Sequence, residues 1–358
     1  NTTDIQNSLN AGTNVTIPTG LSGSSGSQSG DITVSSAISK SSGNAATLTL
    51  TAYRNVTINA AIGSTSNSLG LTVTATTGAF SGTGNLSLNG GSLSVNQATD
   101  GTYSGVISGS GTSLTKTGAG KLTLSGNSTY TGQTTVSAGT LSLSPASTFT
   151  MTLAGAFVNN SAVEYVGAND SQVYLDGAVS GTGTWSITAA SAGSDQWKNR
   201  ISIRSNVSTN ATTSGQFTVS NYGNLWFEGS YINTTSAIYL NGANTRLRFY
   251  GSSNPTIAVG ILTGTGTVDF SDGGGASAVT LSVGNDNGTG SFSGVIANSN
   301  ATYALNIRKA GTGTLTLSGN NSYTGTTTIS SGTLAISHAN ALGTTAGATT
   351  VSSGAALS

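Results

Sequence analysis

The sequence predicts an all-β fold, a right-handed parallel β-helix (β-solenoid) drawn out as a single elongated rod. Three observations carry that expectation. First, residues 114–141 (LTKTGAGKLTLSGNSTYTGQTTVSAGTL) return as residues 307–334 (IRKAGTGTLTLSGNNSYTGTTTISSGTL), 193 positions later with no gap and with 18 of 28 positions identical. A unit that cannot bury its apolar face alone does so by stacking on its neighbour, so repetition at this level points to a solenoid. Second, apolar residues alternate with period two, as in Val15/Ile17, Ile32/Val34, Leu48/Leu50, Val56/Ile58, Leu71/Val73, Leu86/Leu88 and Leu122/Leu124. That period belongs to strands, and no sustained helical stripe competes with it. Third, only 6% of residues are charged, 51 are Gly, 3 are Pro, and the net charge is zero. Ordinary globular domains are about 25% charged. Ser, Thr and Asn must therefore form the surface, and these can stack on like residues without repulsion.

Taken in order along the chain, residues 1–92 carry a 24-residue step, in which DITVSSAIS (31–39) recurs as NVTINAAIG (55–63). A step of that length suits one three-sided coil. Gly, Asn and Ser between the apolar pairs turn the chain because they take positive φ cheaply. Handedness follows the rule for parallel crossovers. At roughly 20 to 24 residues per coil the chain would make about 15 to 18 coils, and at ~4.8 Å per coil a rod on the order of 70 to 85 Å long. No charged or Pro-rich linker interrupts the pattern, so residues 1–358 are expected as one continuous solenoid.

Residues 93–144 and 257–358 each contain one copy of the repeat. In both copies Leu122, Leu124, Leu315 and Leu317 are expected inside the lumen, and Tyr130 and Tyr323 at equivalent places. Asn127 and Asn320 are expected as stacked or turn-capping amides, and Lys116 and Lys309, at one motif position, in a shared surface role. The glycines of GAGKL and GTGTL superficially suggest phosphate loops, but neither opens a helix that would hold an anion.

Residues 145–256 lack the motif and gather the unusual side chains. Of 22 aromatics, 14 lie between positions 149 and 250, with 10 of the 22 charges. Exposed rings stack on sugars or anchor protein interfaces, and Arg serves either. Tyr222, Trp226, Tyr231, Tyr239, Arg246 and Arg248 are thus the candidate interaction patch. The competing reading is that large side chains fill a widened lumen, because adjacent Trp226 and Phe227 cannot both point outward.

Catalytic residues are not assigned. The acids are scattered, and the single histidine, His338, has no Asp or Ser partner near it in sequence. Asp269 and Asp272 in DFSDGGG are the closest acid pair and could offer oxygens to calcium, although a Gly/Asp turn accounts for the same residues. No cofactor is expected. With no basic stripe, nucleic acid is not an expected partner. No apolar run approaches the roughly 20 residues that span a bilayer.

The repeat also resembles the passenger-associated repeat of bacterial autotransporters and related surface proteins. The positions that carry the resemblance are Lys116, Gly118, Gly120, residues 122–127, residues 130–132, Thr134, Thr135 and residues 139–141, answered from Lys309 through Leu334. Residues 1–92 are similar to coils of filamentous-haemagglutinin-like secreted proteins. The resemblance implies a secreted β-helix on the outer surface of a Gram-negative cell, serving as stalk, fibre or adhesin. Three functions are carried forward: a rod segment or subunit of a surface fibre, an adhesin binding glycan or host protein through the central segment, and, more remotely, a polysaccharide-degrading enzyme. Open coil edges at residues 1–17 and 343–358 would let copies join head to tail.

Overall fold

The structure is a computed structural model, described here for residues 1–20, 30–194, 198–204, 215–228, 231–233, 235–251, 256–272, 278–298 and 303–358. The fold is a parallel β-solenoid of about 13 turns with nearly no helix. Fewer coils form than the expected 15 to 18 because some are much longer than 24 residues. Val15 pairs with Leu48, 33 positions on, and Trp185 with Phe217, 32 positions on. Inserted length at these places lengthens one coil instead of adding another.

The chain falls into two compact units, the first Asn1–Val166 with Val173–Asp176, the second Gly167–Gln172 with Gly177–Ser358. In the first unit, strands stack in three parallel sheets. Its lumen is lined by in-register columns, one running Val15, Leu48, Leu71, Leu93, Leu114, Thr134, Phe157 and its neighbour Ile17, Leu50, Val73, Val95, Lys116, Val136, Asn159. The 24-residue step appears directly as Ile32 on Val56, Val34 on Ile58 and Ile38 on Ile62. β-Branched and aliphatic residues alternate in and out because successive Cβ atoms leave opposite faces of a strand.

The second unit repeats this construction. One of its columns reads Val219, Leu240, Gly264, Phe292, Leu317, Ile336 and another Val259, Val283, Lys309, Ile329, Val351. Leu122, Leu124, Leu315 and Leu317 are all buried. Glycine makes room where a ring must sit in a column. Gly82, at φ +140, lies under Tyr103, and a Cβ there would stand 2.0 Å from the Ile58 carbonyl oxygen. Gly264, at φ +116, lies under Phe292 in the same way, 2.2 Å from the Leu240 oxygen.

One sequence expectation fails at the start of the chain. Residues 1–14 form no strand, and of the expected segment only residues 15–17 lie in a strand at the end of its sheet. Thr2–Asn10 form a helix, α1, capped by the Asn1 side chain, which accepts from the Asp4 amide at 3.1 Å. Strands β1 (Val15–Pro18), β2 (Ile32–Val34), β3 (Ile38–Lys40) and β4 (Ala46–Ala52) follow. Helix α1 packs on β1, β3 and β4, burying Leu9 completely. A nine-residue segment with one buried apolar side chain has too little amphipathic signal for a helix to be read from sequence.

Removing side-chain volume from the lumen should be costly and local. Leu124→Ala and Leu317→Ala are each expected to lose about 2 to 5 kcal/mol in denaturant unfolding, as buried Leu→Ala changes do. Thr123→Ala, on the outward face of the same strand, should stay within about 0.5 kcal/mol of the parent.

Candidate functional site

The two repeat copies build the same buried polar corner. Lys116 and Lys309 each occupy an inward column, the first between Val95 and Val136 and the second between Val283 and Ile329, and both are fully buried. The expected surface role is therefore wrong. The Lys116 Nζ donates to the carbonyls of Thr117 at 2.7 Å and Gly118 at 2.8 Å in its own corner, and of Ala138 at 3.2 Å in the next coil. Lys309 donates to Ala310 at 2.5 Å, Gly311 at 2.9 Å and Ser331 at 3.3 Å, each the counterpart 193 residues on. Among the described residues no carboxylate lies within ion-pair distance of either ammonium. The corner carbonyls point inward and need a donor, and a long side chain with three N–H groups can serve three of them. Lys40, also fully buried, serves the carbonyls of Ser42 at 2.6 Å and Gly43 at 3.1 Å.

Two further bonds recur in both copies. The buried hydroxyls of Tyr130 and Thr134 are 2.7 Å apart, as are those of Tyr323 and Thr327. The Ser128 hydroxyl accepts from the Ile107 amide at 3.2 Å, and the equivalent Asn321 carbonyl oxygen accepts from the Ile296 amide at 2.9 Å. Asn321 also donates to the Ala341 carbonyl at 2.7 Å. The capping position is thus one residue beyond Asn127 and Asn320. Asn320 is exposed and accepts from Asn340 at 2.8 Å, whereas the Asn127 Oδ1 has no partner among the described residues.

The central segment divides differently from either sequence reading. On one face of a sheet in the second unit, the strands Arg200–Ile203, Asn224–Glu228, Arg246–Gly251 and Thr267–Asp272 pair in register. Leu225 and Phe227 point into the lumen, where Phe227 stacks on Phe249 with centroids 6.2 Å apart and meets Phe217 edge-on at 6.0 Å. Trp185 stacks on Phe217 at 5.6 Å. The outward column runs Ser202, Trp226, Arg248, Asp269, and all four are buried.

Trp226 therefore neither fills the lumen nor offers an exposed ring. It lies between two guanidinium groups, Arg200 at 4.0 Å and Arg248 at 5.0 Å from its centroid, a cation–π arrangement. Arg248 forks onto Asp269 through Nε at 2.7 Å and Nη2 at 2.6 Å, and Arg246 bonds the same carboxylate. With two arginines on it, Asp269 is a poor calcium ligand. The side chains of Asp272 and Tyr231 lie outside the described residues. Tyr222 is exposed, Tyr239 half-buried and Arg246 partly buried, so the five candidates whose side chains are described do not form one open patch. His338 is exposed, and its Nδ1 accepts from the Asn340 amide at 3.0 Å. No group of three or more His, Asp or Glu that could hold a metal occurs among the described residues.

These features define a parallel β-solenoid in which Lys116, Lys309 and the Arg248–Asp269 pair join one coil to the next. Residues 114–143 and 307–336 match the family model described as passenger-associated-transport-repeat. The chain thus carries two copies of the repeat it was expected to resemble. No match to the chain is found among curated proteins or among solved structures. No helix among the described residues is long and apolar enough to cross a membrane.

The corner lysines give the protein a defined response to alkali. Burial pushes the Lys116 ammonium down to about 8 against the opposing charge of Asp100, and lowers Lys309 against Asp286. Above pH 8 the folded chain has released a proton that the unfolded chain keeps until about 10.5, so stability should rise with pH through that window. Burial raises Tyr103, Tyr130 and Tyr323, so stability should fall above pH 10 as unfolded tyrosines ionise. Denaturant midpoints measured from pH 7 to 11 check both limbs. Lys116→Met with Lys309→Met should flatten the rising limb whatever it does to the midpoint itself. An unchanged slope would place the ionisation elsewhere.

Proposed function

We propose that this chain is a stretch of a secreted passenger on the outer surface of a bacterial cell and works there as a structural stalk. One observation supports this reading above the rest: the same buried corner is built twice, at Lys116 and Lys309, within segments that match a passenger repeat. Each ammonium ties its own coil to the following one. Such a residue contributes cohesion along the solenoid, and it is fully buried. A neutral, hydroxyl-rich exterior suits a spacer that must not stick to charged surfaces.

A second reading, an adhesin, keeps one specific observation. Tyr222 and Tyr250 each expose about 37% of their surface on the central segment. Rings at that exposure can stack on sugar, whereas the buried Trp226 cannot.

The two readings separate in one pair of measurements. With the protein displayed on cells, a membrane-impermeant label should reach the chain, and a glycan array should stay blank for the purified protein. Binding on the array that disappears with Tyr222→Ala or Tyr250→Ala would favour the adhesin. Failure of the label to reach the chain on intact cells would remove the surface location itself.

A further inference from the structure

Helix α1 lies against the first coil of the described residues and supplies acceptors of the kind that one coil gives the next. In the second coil the Thr65 amide donates to the Lys40 carbonyl of the coil before it, at 3.0 Å. Its counterpart 24 residues earlier, the Ser41 amide, donates to the Asn10 side-chain oxygen at 2.7 Å. The Ser42 amide uses the same oxygen at 3.2 Å, and the Ser39 amide donates to Gln6 Oε1 at 3.0 Å. Immediately after α1, Asn14 Oδ1 accepts from the Thr47 amide at 2.8 Å. Side-chain oxygens from the helix and the residues behind it thus stand where strand carbonyls would stand. Gly43, at φ +70, allows the close approach: a Cβ there would lie 2.0 Å from the Asn10 carbonyl oxygen.

We propose that α1 is a displaceable cap that holds closed the strand edge of β3 and the corner that follows it, and that the occupant it excludes is a strand-bearing coil of a second copy of this chain. In naming that occupant the inference rests on the stalk reading together with the head-to-tail joining expected from the sequence. A second copy fits for reasons already visible within the chain. Its coils pair in parallel, with aliphatic residues inward and Ser or Thr outward, and the net charge is zero, so like edges meet without repulsion. The contact needs only backbone carbonyls in place of Gln6 and Asn10 and apolar side chains over the half-buried Val15 and Ile17. An edge covered by side-chain bonds and a single buried leucine is held far less firmly than one paired coil to coil.

The test uses the full chain and the variant Gln6→Ala with Asn10→Ala, which keeps the helix but removes its acceptors. Light scattering over a broad concentration range gives the mass, and amide hydrogen exchange gives the protection of Ser39, Ser41 and Ser42. In the parent these amides should be protected and the chain monodisperse. In the variant they should exchange freely at low concentration and regain protection as the mass rises with concentration. Protected amides at Leu48 and Leu71 establish that the solenoid is still folded. A folded variant that stays monodisperse with the three amides exposed overturns the cap. If the parent itself associates while α1 still protects those amides, end-to-end assembly stands but runs through another edge, and the cap proposal falls. A second variant lacking residues 1–11 guards against a helix that holds on without its two amides. It should associate at least as strongly, and a folded, monodisperse product overturns the proposal as well.

Discussion

Coil must lie on coil in strict register, and most of this structure follows from that constraint. Parallel pairing repeats the path of the backbone every coil, so a carbonyl that turns inward at one corner does so again above and below. The corner is then a place where backbone oxygens crowd into an apolar lumen. Two kinds of residue answer the crowding. Glycine removes the Cβ that would strike the oxygen below, as at Gly118 and Gly139, where a Cβ would come within 2.4 Å of the Gln97 and Gly118 oxygens. Lysine brings in donors, and its position in a column of valines shows that the stem packs as an aliphatic side chain while the ammonium reaches the corner.

A buried charge without a carboxylate partner is ordinarily expensive. Here three carbonyl dipoles take the place of a counter-ion, and the two shorter distances at Lys116, 2.7 and 2.8 Å, are those of charge-assisted hydrogen bonds. The remaining desolvation shows in the lowered affinity of Lys116 and Lys309 for their protons. Two of the three carbonyls come from the lysine's own corner and one from the coil after it. The full set of acceptors exists only when both coils are folded, so the residue couples neighbours and does not merely fill space. Ser128 with the Ile107 amide spreads the same coupling around the coil, while Tyr130 with Thr134 braces a single coil from within.

What could be read from the sequence was what the period and the repeat control. Alternation at Leu122/Leu124 and Leu315/Leu317 placed inward positions, and the 24-residue recurrence of 31–39 at 55–63 is the register found. Equivalence of Tyr130 and Tyr323 followed from alignment alone. Side chains whose burial depends on a third element were not legible. Lys116 looks like a surface residue because nothing in its neighbours reveals that Thr117, Gly118 and Ala138 turn their oxygens inward. Trp226 and Phe227 were correctly seen to face opposite ways, but outward was equated with exposed. The outward column of Ser202, Trp226, Arg248 and Asp269 is buried, and no local pattern in one strand foretells cover from elsewhere. The coil count was overestimated because inserted length is silent in a periodicity.

A structure that adds coils by one rule carries no internal signal for where to stop. Every coil presents the same donors and acceptors to the next, so the ends must be made different by something outside the rule. On the β3 edge that something is α1, a short helix whose Gln6 and Asn10 side-chain oxygens reproduce the acceptors of a coil. Substitution of side-chain amides for backbone carbonyls satisfies the amides of Ser39, Ser41 and Ser42 without a paired strand. The lysine corners and the helix are thus two solutions to one problem, since each finds partners for backbone groups that a perfectly repeating ladder leaves over, the first inside the lumen and the second at its edge.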